Sequence, residues 1–317
     1  MKSLRILKLA AISTFVVICF SKCEKEDSNE NPNPFIQEFI DEVSTDSLQH
    51  TVEWMQNMQT RFMLIDNRKN IAKKIQQKFI AIGYLNAQLD SFLNTRTYNE
   101  ISYQTWQYNV VATLAGTPNT SEYNVLGAHY DSYTRDADLF TISPGANDNA
   151  SGVAALIEIA RLFKKNSLQP KKTIQFVAFA AEELGLYGSW DFAAKSSSNQ
   201  HNISMMINFD MIAHWPESNS GNWTVNIIDY ENSKQLRLEA EEICSTYTKL
   251  KTINDNADYN RSDSYLFYRY GYPAIFFMSS YQDNTYHTIN DISSNCNYAY
   301  CREIVKASTA LILKENI

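Results

Sequence analysis

Residues 173–189 read TIQFVAFAAEELGLYGS, an apolar run that ends in two adjacent glutamates and a glycine-containing turn. An uninterrupted apolar run of this length is typical of a strand buried on both faces of a sheet. Two carboxylates directly after such a run are costly unless something neutralises them, because burial and like charge both oppose ionisation. The stretch therefore predicts a buried strand with Glu182 and Glu183 at its end, where a cation would stabilise them. The alternative is a pair of solvated glutamates that open a helix.

The same pattern recurs on both sides of this stretch. Short apolar runs alternate with segments whose apolar residues recur every three or four positions, which indicates strands alternating with helices. The alternation predicts an α/β fold, a single domain with a central mixed, mostly parallel sheet and helices on both faces. The other runs expected to form strands are VVATLAG (110–116), YNVLGAH (123–129), MMINFDM (205–211), WTVNIID (223–229) and PAIFFMSS (273–280).

The length and charge of the chain exclude one class of partner. Its 317 residues, 44% of them hydrophobic, suffice for a packed globular core. A formal net charge of −7 and a pI near 5.3 argue against nucleic acid, because phosphate binding needs a concentrated basic surface. We expect a neutral or cationic substrate.

Residues 1–22 have the features of a secretory signal peptide. They begin with Lys2, Arg5 and Lys8 and continue with an apolar run over residues 9–20. That run is shorter than the roughly 20 residues that span a bilayer. We therefore expect an exported protein.

Cys23 stands where lipoprotein signals place the cysteine that is acylated after cleavage, although Lys22 is larger than the small residue usual before it. Residues 23–34 are acidic and contain prolines, which favours a solvated tether. We expect a lipoprotein whose only membrane contact is this anchor, in the periplasm or at the cell surface. A soluble secreted product is the alternative.

Residues 35–317 are expected to form the globular domain, beginning with packing helices over 35–84. Export permits disulfides. Cys296 and Cys301, in NCNYAYC, could then bridge locally and leave Cys244 free, but a sequence alone does not fix the pairing.

A histidine follows one of the other predicted strands. The run YNVLGAH ends in His129, and Asp131 is placed to orient its imidazole. Open α/β sheets bind ligands beyond the carboxyl ends of their strands, so a site is expected here. On its own, a histidine at such a position more often caps a strand than binds a metal.

Three further side chains occur at similar places. Asp148 lies in the loop PGANDNASG (144–152), and Asp210 ends the strand MMINF, where an unpaired charge would be costly. His287 follows the strand PAIFFMSS, with Asp291 placed to support it. Their ordinary alternatives are a turn or helix cap, a solvated strand end and a solvated loop histidine.

Together these positions supply two imidazoles and three carboxylates, each at the end of a strand or in the loop after one. One carboxylate shared by two ions, with one histidine and one carboxylate for each, gives three protein ligands per ion. Open coordination positions indicate catalysis, because structural zinc sites are closed. The predicted set is His129, Asp148, Glu183, Asp210 and His287.

Five motifs in this order resemble the co-catalytic zinc aminopeptidases typified by bacterial leucyl aminopeptidases. They are GAHYDS (127–132), PGANDNASG (144–152), FAAEELGLYGS (179–189), INFDMI (207–212) and YHT (286–288), and the similarity runs from about Asn109 to the terminus. The resemblance implies a monomeric peptidase domain that binds two Zn²⁺ ions and acts on peptides. Asp148 would bridge the ions, His129 and Asp210 would complete one position, and Glu183 and His287 would complete the other.

The resemblance also implies the mechanism of an aminopeptidase, which hydrolyses the N-terminal peptide bond. A water activated by the zinc ions would be the nucleophile, Glu182 the general base, and Tyr259 would lie near the developing oxyanion. Family members often continue the Ser-Asp pair with a histidine, whereas this chain has Ser264. Contacts near Tyr259 are therefore open.

Two other functions remain open at this stage. A glutaminyl cyclase uses a similar fold with a single zinc ion, and related receptor ectodomains keep the fold after losing their zinc ligands. The complete ligand set and the motifs NDNASG and AAEELGLYGS favour a hydrolase. The sequence leaves open whether the enzyme is an aminopeptidase, a carboxypeptidase or a dipeptidase. It also leaves open which residue is preferred at the substrate N-terminus.

Overall fold

Eight strands form one mixed sheet in the part of the chain that this computed structural model describes, residues 31–118 and 120–317. Their order across the sheet is β1-β2-β4-β3-β5-β8-β6-β7. The predicted signal peptide and Cys23 lie outside the described residues. The strands are β1 (Gln88–Tyr98), β2 (Ile101–Leu114), β3 (Glu122–His129), β4 (Thr173–Phe179), β5 (Asn202–Phe209), β6 (Thr224–Ile228), β7 (Lys251–Ile253) and β8 (Ala274–Ser279).

Four adjacent strands, β4, β3, β5 and β8, run parallel to one another in the centre of the sheet. Their carboxyl ends therefore lie along one edge, where ligands of open α/β sheets bind. Strands β1 and β2 form an antiparallel pair, β2 runs antiparallel to β4, and β6 runs antiparallel to β8. The prediction of a mixed sheet with a mostly parallel centre is confirmed.

In the part of the chain that the structure describes, eight α-helices cover the two faces of the sheet. Successive strand residues point to opposite faces, so Leu126 and Ala128 of β3 join one core cluster whereas Val125 joins the other. Because both faces are covered, the central strands read as continuous apolar runs. The helices are α1 (Pro34–Asp41), α2 (Thr45–Gln56), α3 (Arg68–Ala81), α4 (Ser151–Lys165), α5 (Tyr187–Ser198), α6 (Lys234–Tyr247), α7 (Ser264–Arg269) and α8 (Tyr298–Asn316).

The β1–β2 hairpin was not predicted from the sequence. Its strands pair along their whole length, from Gln88 with Val111 to Tyr98 with Ile101. Strand β1 reads QLDSFLNTRTY and is mostly exposed or half-buried, so it lacks an apolar run of the kind that predicted β2 to β6 and β8; the three-residue strand β7 was missed as well. Pairing with β2, rather than burial, holds it in place.

Cys244, Cys296 and Cys301 are free thiols in the structure. The local bridge considered between Cys296 and Cys301 is therefore not formed, and Cys301 is buried in the first turn and a half of α8. Within residues 31–118 and 120–317, the helices are too short or too polar to cross a membrane.

Candidate metal centre

The five predicted ligands meet at the carboxyl edge of the parallel strands. His129 is the last residue of β3, and Asp210 follows β5 directly. Glu183 lies in the loop after β4, Asp148 in the loop before α4, and His287 in the loop after β8. Strands from separate parts of the chain thus deliver one side chain each to the same place.

Asp148 lies between the two histidines. Its Oδ1 is 3.2 Å from His129 Nε2, and its Oδ2 is 3.1 Å from His287 Nε2. The two oxygens of a carboxylate point in different directions, so this side chain is able to join two ions. On the outer sides, Asp210 Oδ1 is 3.3 Å from His129 Nε2, and Glu183 Oε2 is 2.8 Å from His287 Nε2.

Asp210 is oriented by a short chain of hydrogen bonds. The hydroxyl of Ser262 donates to Asp210 Oδ2 at 2.7 Å, and the amide of Asn208 donates to the Ser262 hydroxyl at 2.6 Å. All three groups are buried. The Ser262 hydroxyl thus fixes Oδ2 of Asp210 and leaves Oδ1 directed toward His129.

A buried carboxylate supports the loop that carries the two glutamates. Asp131 Oδ1 accepts the backbone N–H of Glu182 at 3.0 Å, and Oδ2 accepts that of Glu183 at 3.2 Å. The expected contact with His129 is also present but weaker, with 3.6 Å between Nδ1 and Oδ1. Asp131 therefore positions the glutamates as well as the histidine.

Asp291 repeats this arrangement on the other side of the site. Its two oxygens accept the backbone N–H groups of Asn147 at 2.7 Å and Asp148 at 3.0 Å. The expectation that Asp291 supports His287 is wrong. Arg135 lies at that place instead, with a guanidinium nitrogen 3.2 Å from His287 Nδ1.

The electrostatics of the cluster follow from crowded charges in a buried place. Burial and then the neighbouring Asp148 raise the pKa of Glu183 to about 8, although His287 opposes this. Burial likewise raises the pKa of Glu182 well above its ordinary value. Burial alone would lower the pKa of His287, but Asp148 and Glu183 outweigh it and raise that pKa to about 9. Crowding thus makes the two glutamates harder to ionise and His287 easier to protonate.

The backbone is left-handed at several residues beside these ligands. Ala181 before Glu182, Met211 after Asp210 and His287 itself have φ values of 59°, 53° and 58°. Side chains other than glycine rarely adopt this conformation, and such residues concentrate at functional sites. The turns that aim the ligands are thus conformationally costly.

The donor set fits divalent cation binding. Ligand atoms of His129, Glu182 and Asp210 lie within 4.8 Å of one another, as do those of His129, Asp148 and Glu183. Glu183 Oε1 is buried with no hydrogen-bond partner, and His287 Nε2 makes no well-directed hydrogen bond. Buried polar atoms are normally satisfied, so an ion would supply the missing partner. Nitrogen and carboxylate donors suit zinc.

A cleft of about 330 Å³ opens over the cluster. Its lining includes His129, Asp148, Glu182, Glu183 and Asp210. It also includes Arg261, paired to Asp258 at 2.8 Å, and a set of apolar and aromatic side chains that we call the apolar wall. The apolar and aromatic residues of the wall are Met211, Phe276, Met278, Tyr281 and Tyr286.

Tyr259 is not brought to the cluster. It is 44% exposed, packs edge-on against Tyr265 at 5.8 Å between ring centroids, and lines a separate surface groove with Tyr230 and Tyr268. Two other tyrosines, Tyr281 and Tyr286, line the cleft, and the ring of Tyr286 stacks on His287 at 3.8 Å. Tyr286 directly precedes the histidine of YHT, which is the signal that could have identified it.

The part of the chain that matches a known family begins at Asn109, where the similarity carried by the motifs also begins. Residues 109–312 match peptidase family M28. A probable zinc metalloprotease of Pyrenophora teres f. teres is 32% identical over 203 residues, which are 60% of this chain and 43% of that relative. A probable leucine aminopeptidase of Arthroderma otae is 26% identical over 282 residues, 86% of this chain and 72% of the relative. The chain thus spans less than half of the first of these relatives.

Solved structures share the fold. LapB from Legionella pneumophila superposes with a TM-score of 0.75 at 20% identity, over 90% of this chain and 75% of LapB. A glutaminyl cyclase from Fimbriiglobus ruber superposes with a TM-score of 0.69 at 15% identity, over 86% of this chain and 95% of that one. At these identities the likeness establishes the fold alone. The family match covers well over half of the chain, and the chain belongs to peptidase family M28.

Proposed function

We propose that this M28 peptidase is a zinc aminopeptidase that holds two metal ions and releases the N-terminal residue of peptides. The observation that carries the proposal is the position of Asp148, within 3.2 Å of a ligand nitrogen on each of two histidines. Each histidine has a second carboxylate at its outer side. A pair of ions with open coordination positions requires one carboxylate that binds both ions and one further carboxylate for each ion.

The residues divide into two metal positions. The first would be held by Asp148, His129 and Asp210, and the second by Asp148, Glu183 and His287. When bound, such ions lower the pKa of water and polarise a substrate carbonyl. The orphaned Glu183 oxygen and the crowded carboxylates support this assignment.

Glu182 is the proposed general base. It lines the cleft but lies farther from the histidines than the other acids, with Oε2 3.9 Å from His129 Nε2. Its raised pKa, due first to burial, is the direction that suits a group exchanging protons near neutral pH. Glu182 accepts the proton of the attacking water and returns it to the departing amine. Tyr259 faces another groove, and of the two tyrosines in the cleft, Tyr281 and Tyr286, the second stacks on His287 and is the one we assign to the oxyanion.

The cleft suggests which end of a peptide is bound and which side chain is preferred. A volume of about 330 Å³ accommodates one amino-acid side chain and its peptide bond rather than a long segment. The apolar wall around Met211 and Met278 favours a large apolar N-terminal residue. The relative named as a probable leucine aminopeptidase supports the same preference.

Hydrolysis of synthetic substrates tests the proposal directly. We expect the purified protein to release the chromophore from leucyl p-nitroanilide, to lose this activity with a chelator, and to regain it with two equivalents of zinc. Digestion of a peptide library followed by mass spectrometry should show shortening from the N-terminus. Conversion of N-terminal glutamine to pyroglutamate with one ion per chain would instead establish a cyclase. Metal binding without any turnover would establish a binding protein.

We also propose, from the sequence, that the protein is exported and anchored through Cys23, and that it acts as a monomer. Metabolic labelling with a fatty acid tests the anchor, because Cys23→Ser should abolish the label while leaving the peptidase active. Analytical ultracentrifugation of the soluble domain tests the oligomeric state. An unlabelled wild-type protein in the medium would contradict the anchor.

A further inference from the structure

Arg61 is a fully buried guanidinium in the segment between α2 and α3, outside the 109–312 stretch that matches the family. It is 1% exposed. Within residues 31–118 and 120–317, no carboxylate lies within 4.0 Å of it, so it is not a partner in an ion pair. Burying a cation without a paired anion costs free energy. The hydrogen bonds of Arg61 should therefore explain why an arginine is buried here.

The guanidinium N–H groups of Arg61 donate hydrogen bonds to backbone carbonyls of two loops. Its Nε donates to Tyr130 O at 2.7 Å, its Nη1 to Pro144 O at 2.7 Å, and its Nη2 to Gly145 O at 2.7 Å. A longer bond joins Nη1 to Met55 O at 3.3 Å. The rigid fork of a guanidinium reaches several acceptors at fixed angles, which an ammonium does not.

The two loops are those that carry His129 and Asp148. Tyr130 follows His129 directly, and Gly145 precedes Asp148 by three residues. Gly145 is packed so closely that a Cβ there would lie 2.7 Å from Arg61 Nη2. One side chain therefore joins the backbone behind His129 to the backbone before Asp148, whose side chains meet at 3.2 Å.

Neighbours of Arg61 strengthen the same connection. The hydroxyl of Thr60 donates to Leu139 O at 2.7 Å, and the N–H of Ser143 donates to Gln59 O at 2.8 Å. The N–H of Arg61 itself donates to the Ser132 hydroxyl at 3.2 Å. The segment 59–61 is thus hydrogen-bonded at several points to the connection between β3 and α4.

We propose that Arg61 is a positioning residue for the metal centre, which holds His129 and Asp148 at the separation that the first metal position requires. The inference rests on the proposed function, because it needs that centre to bind ions. It assigns a role in the site to the N-terminal segment, in which the sequence shows no motif.

The charge of Arg61 and its hydrogen bonds predict opposite effects on metal binding when the residue is replaced. A positive charge near two cations disfavours their binding, so removing it should tighten metal binding if charge alone matters. Loss of the three short hydrogen bonds should instead let the loops separate and weaken metal binding, as changes to groups that support ligands usually do. We expect the geometric effect to win, because Arg61 contacts the ligand loops directly.

The experiment compares Arg61→Lys, Arg61→Gln and a matched control, Glu158→Gln. Glu158 is also buried, but it lies farther along α4 and bonds to Arg161 and the Ser44 N–H, away from the ligands. Zinc affinity of the metal-free full-length protein is measured by competition with a chromophoric chelator. Thermal unfolding is measured in excess chelator.

We expect Arg61→Lys, which keeps the charge, and Arg61→Gln, which removes it, both to bind zinc at least about 10-fold more weakly than wild type. Glu158→Gln should unfold at a lower temperature yet bind zinc within about 3-fold of wild type. If Arg61→Gln fails to fold, Arg61→Lys decides the matter.

Unchanged or tighter zinc binding by a folded Arg61 variant would overturn the inference. A loss of affinity in Glu158→Gln equal to that in Arg61→Lys would do the same, because general destabilisation would then explain both. Wild-type protein that binds zinc but cleaves no peptide would refute the proposed function and leave the role of Arg61 intact.

Discussion

Asp291 Oδ2 accepts the backbone N–H of Asp148 at 3.0 Å, so one aspartate holds the main chain of another whose side chain lies between two histidines. Asp131 does the same for Glu182 and Glu183. Both supporting carboxylates are buried and accept two consecutive N–H groups each. The ligand loops are therefore fixed through their backbones, independently of the ligand side chains themselves.

These supports predict the effect of Asp291→Asn and Asp131→Asn. An amide nitrogen facing a backbone N–H replaces an attraction by a repulsion, so each variant should bind zinc about 10- to 100-fold more weakly. Chelator competition measures this. Asp136→Asn is the control, because Asp136 accepts the N–H of Ile289 at 2.9 Å in the same region but is exposed and does not touch Asp148. Wild-type affinity in both buried variants would contradict the assignment.

Replacing Glu182 by glutamine and replacing Glu183 by glutamine should have different effects. Glu182→Gln should keep both ions and lower kcat/KM by about 10²- to 10⁴-fold, because only the proton acceptor is lost. Glu183→Gln should lose about one ion per chain, because Glu183 lies 2.8 Å from His287. Metal content by atomic emission, measured beside activity, separates the two. Loss of metal in Glu182→Gln would mean that their roles are exchanged.

Asp263 predicts an effect of pH on stability. It is fully buried, and burial raises its pKa to about 7, although the nearby His129 and the Ser189 hydroxyl oppose the rise. A raised carboxyl pKa means that stability is lost as pH rises from the unfolded value near 4 through about 7. In excess chelator, Asp263→Asn should therefore be more stable than wild type at pH 8, on the order of 2 kcal/mol.

The advantage of Asp263→Asn should shrink as pH falls toward 5, where the wild-type carboxyl is protonated as well. Urea unfolding at several pH values measures it. With zinc present, the sign should reverse, because nearby cations favour the ionised aspartate. A constant difference between the two proteins at all pH values would rule out titration of Asp263 as the cause.

The apolar wall of the cleft predicts a change in substrate preference. Met278→Trp adds bulk where we place the N-terminal side chain, so kcat/KM should fall about 10-fold or more for leucyl p-nitroanilide and much less for the alanyl compound. The ratio of the two substrates is the readout. Ile253→Trp, on the exposed strand β7, should leave the ratio unchanged. An equal loss for both substrates in Met278→Trp would place the side chain elsewhere.

Much of the fold and the family could be predicted from the sequence because short sequence patterns indicate both. Apolar runs predicted the central strands, and the residues that end them include His129, Glu183 and Asp210. The sheet geometry then explains why such separated residues meet, since the carboxyl ends of parallel strands share an edge. The α/β fold is confirmed, and the family match shows membership of peptidase family M28.

The remainder depends on contacts that leave no local pattern. Arg61 bonds to carbonyls, which every residue has, so nothing in its neighbourhood in the sequence indicates its role. Asp291 was paired with His287 because they are close in the chain, whereas the folded loop turns it toward Asp148. Tyr259 was placed near the oxyanion by the family resemblance, but its ring lines another groove.

The five ligands come from separate stretches of the chain, from His129 to His287, so bound ions would tie together loops with no other covalent link between them. A ligand that binds only the folded chain stabilises it by about 4 kcal/mol at a thousandfold excess over its Kd. Where free zinc is scarce, the same loops would open more often and offer cleavage points to other proteases. The abundance of the protein would then follow the supply of metal in its surroundings, as well as its own synthesis.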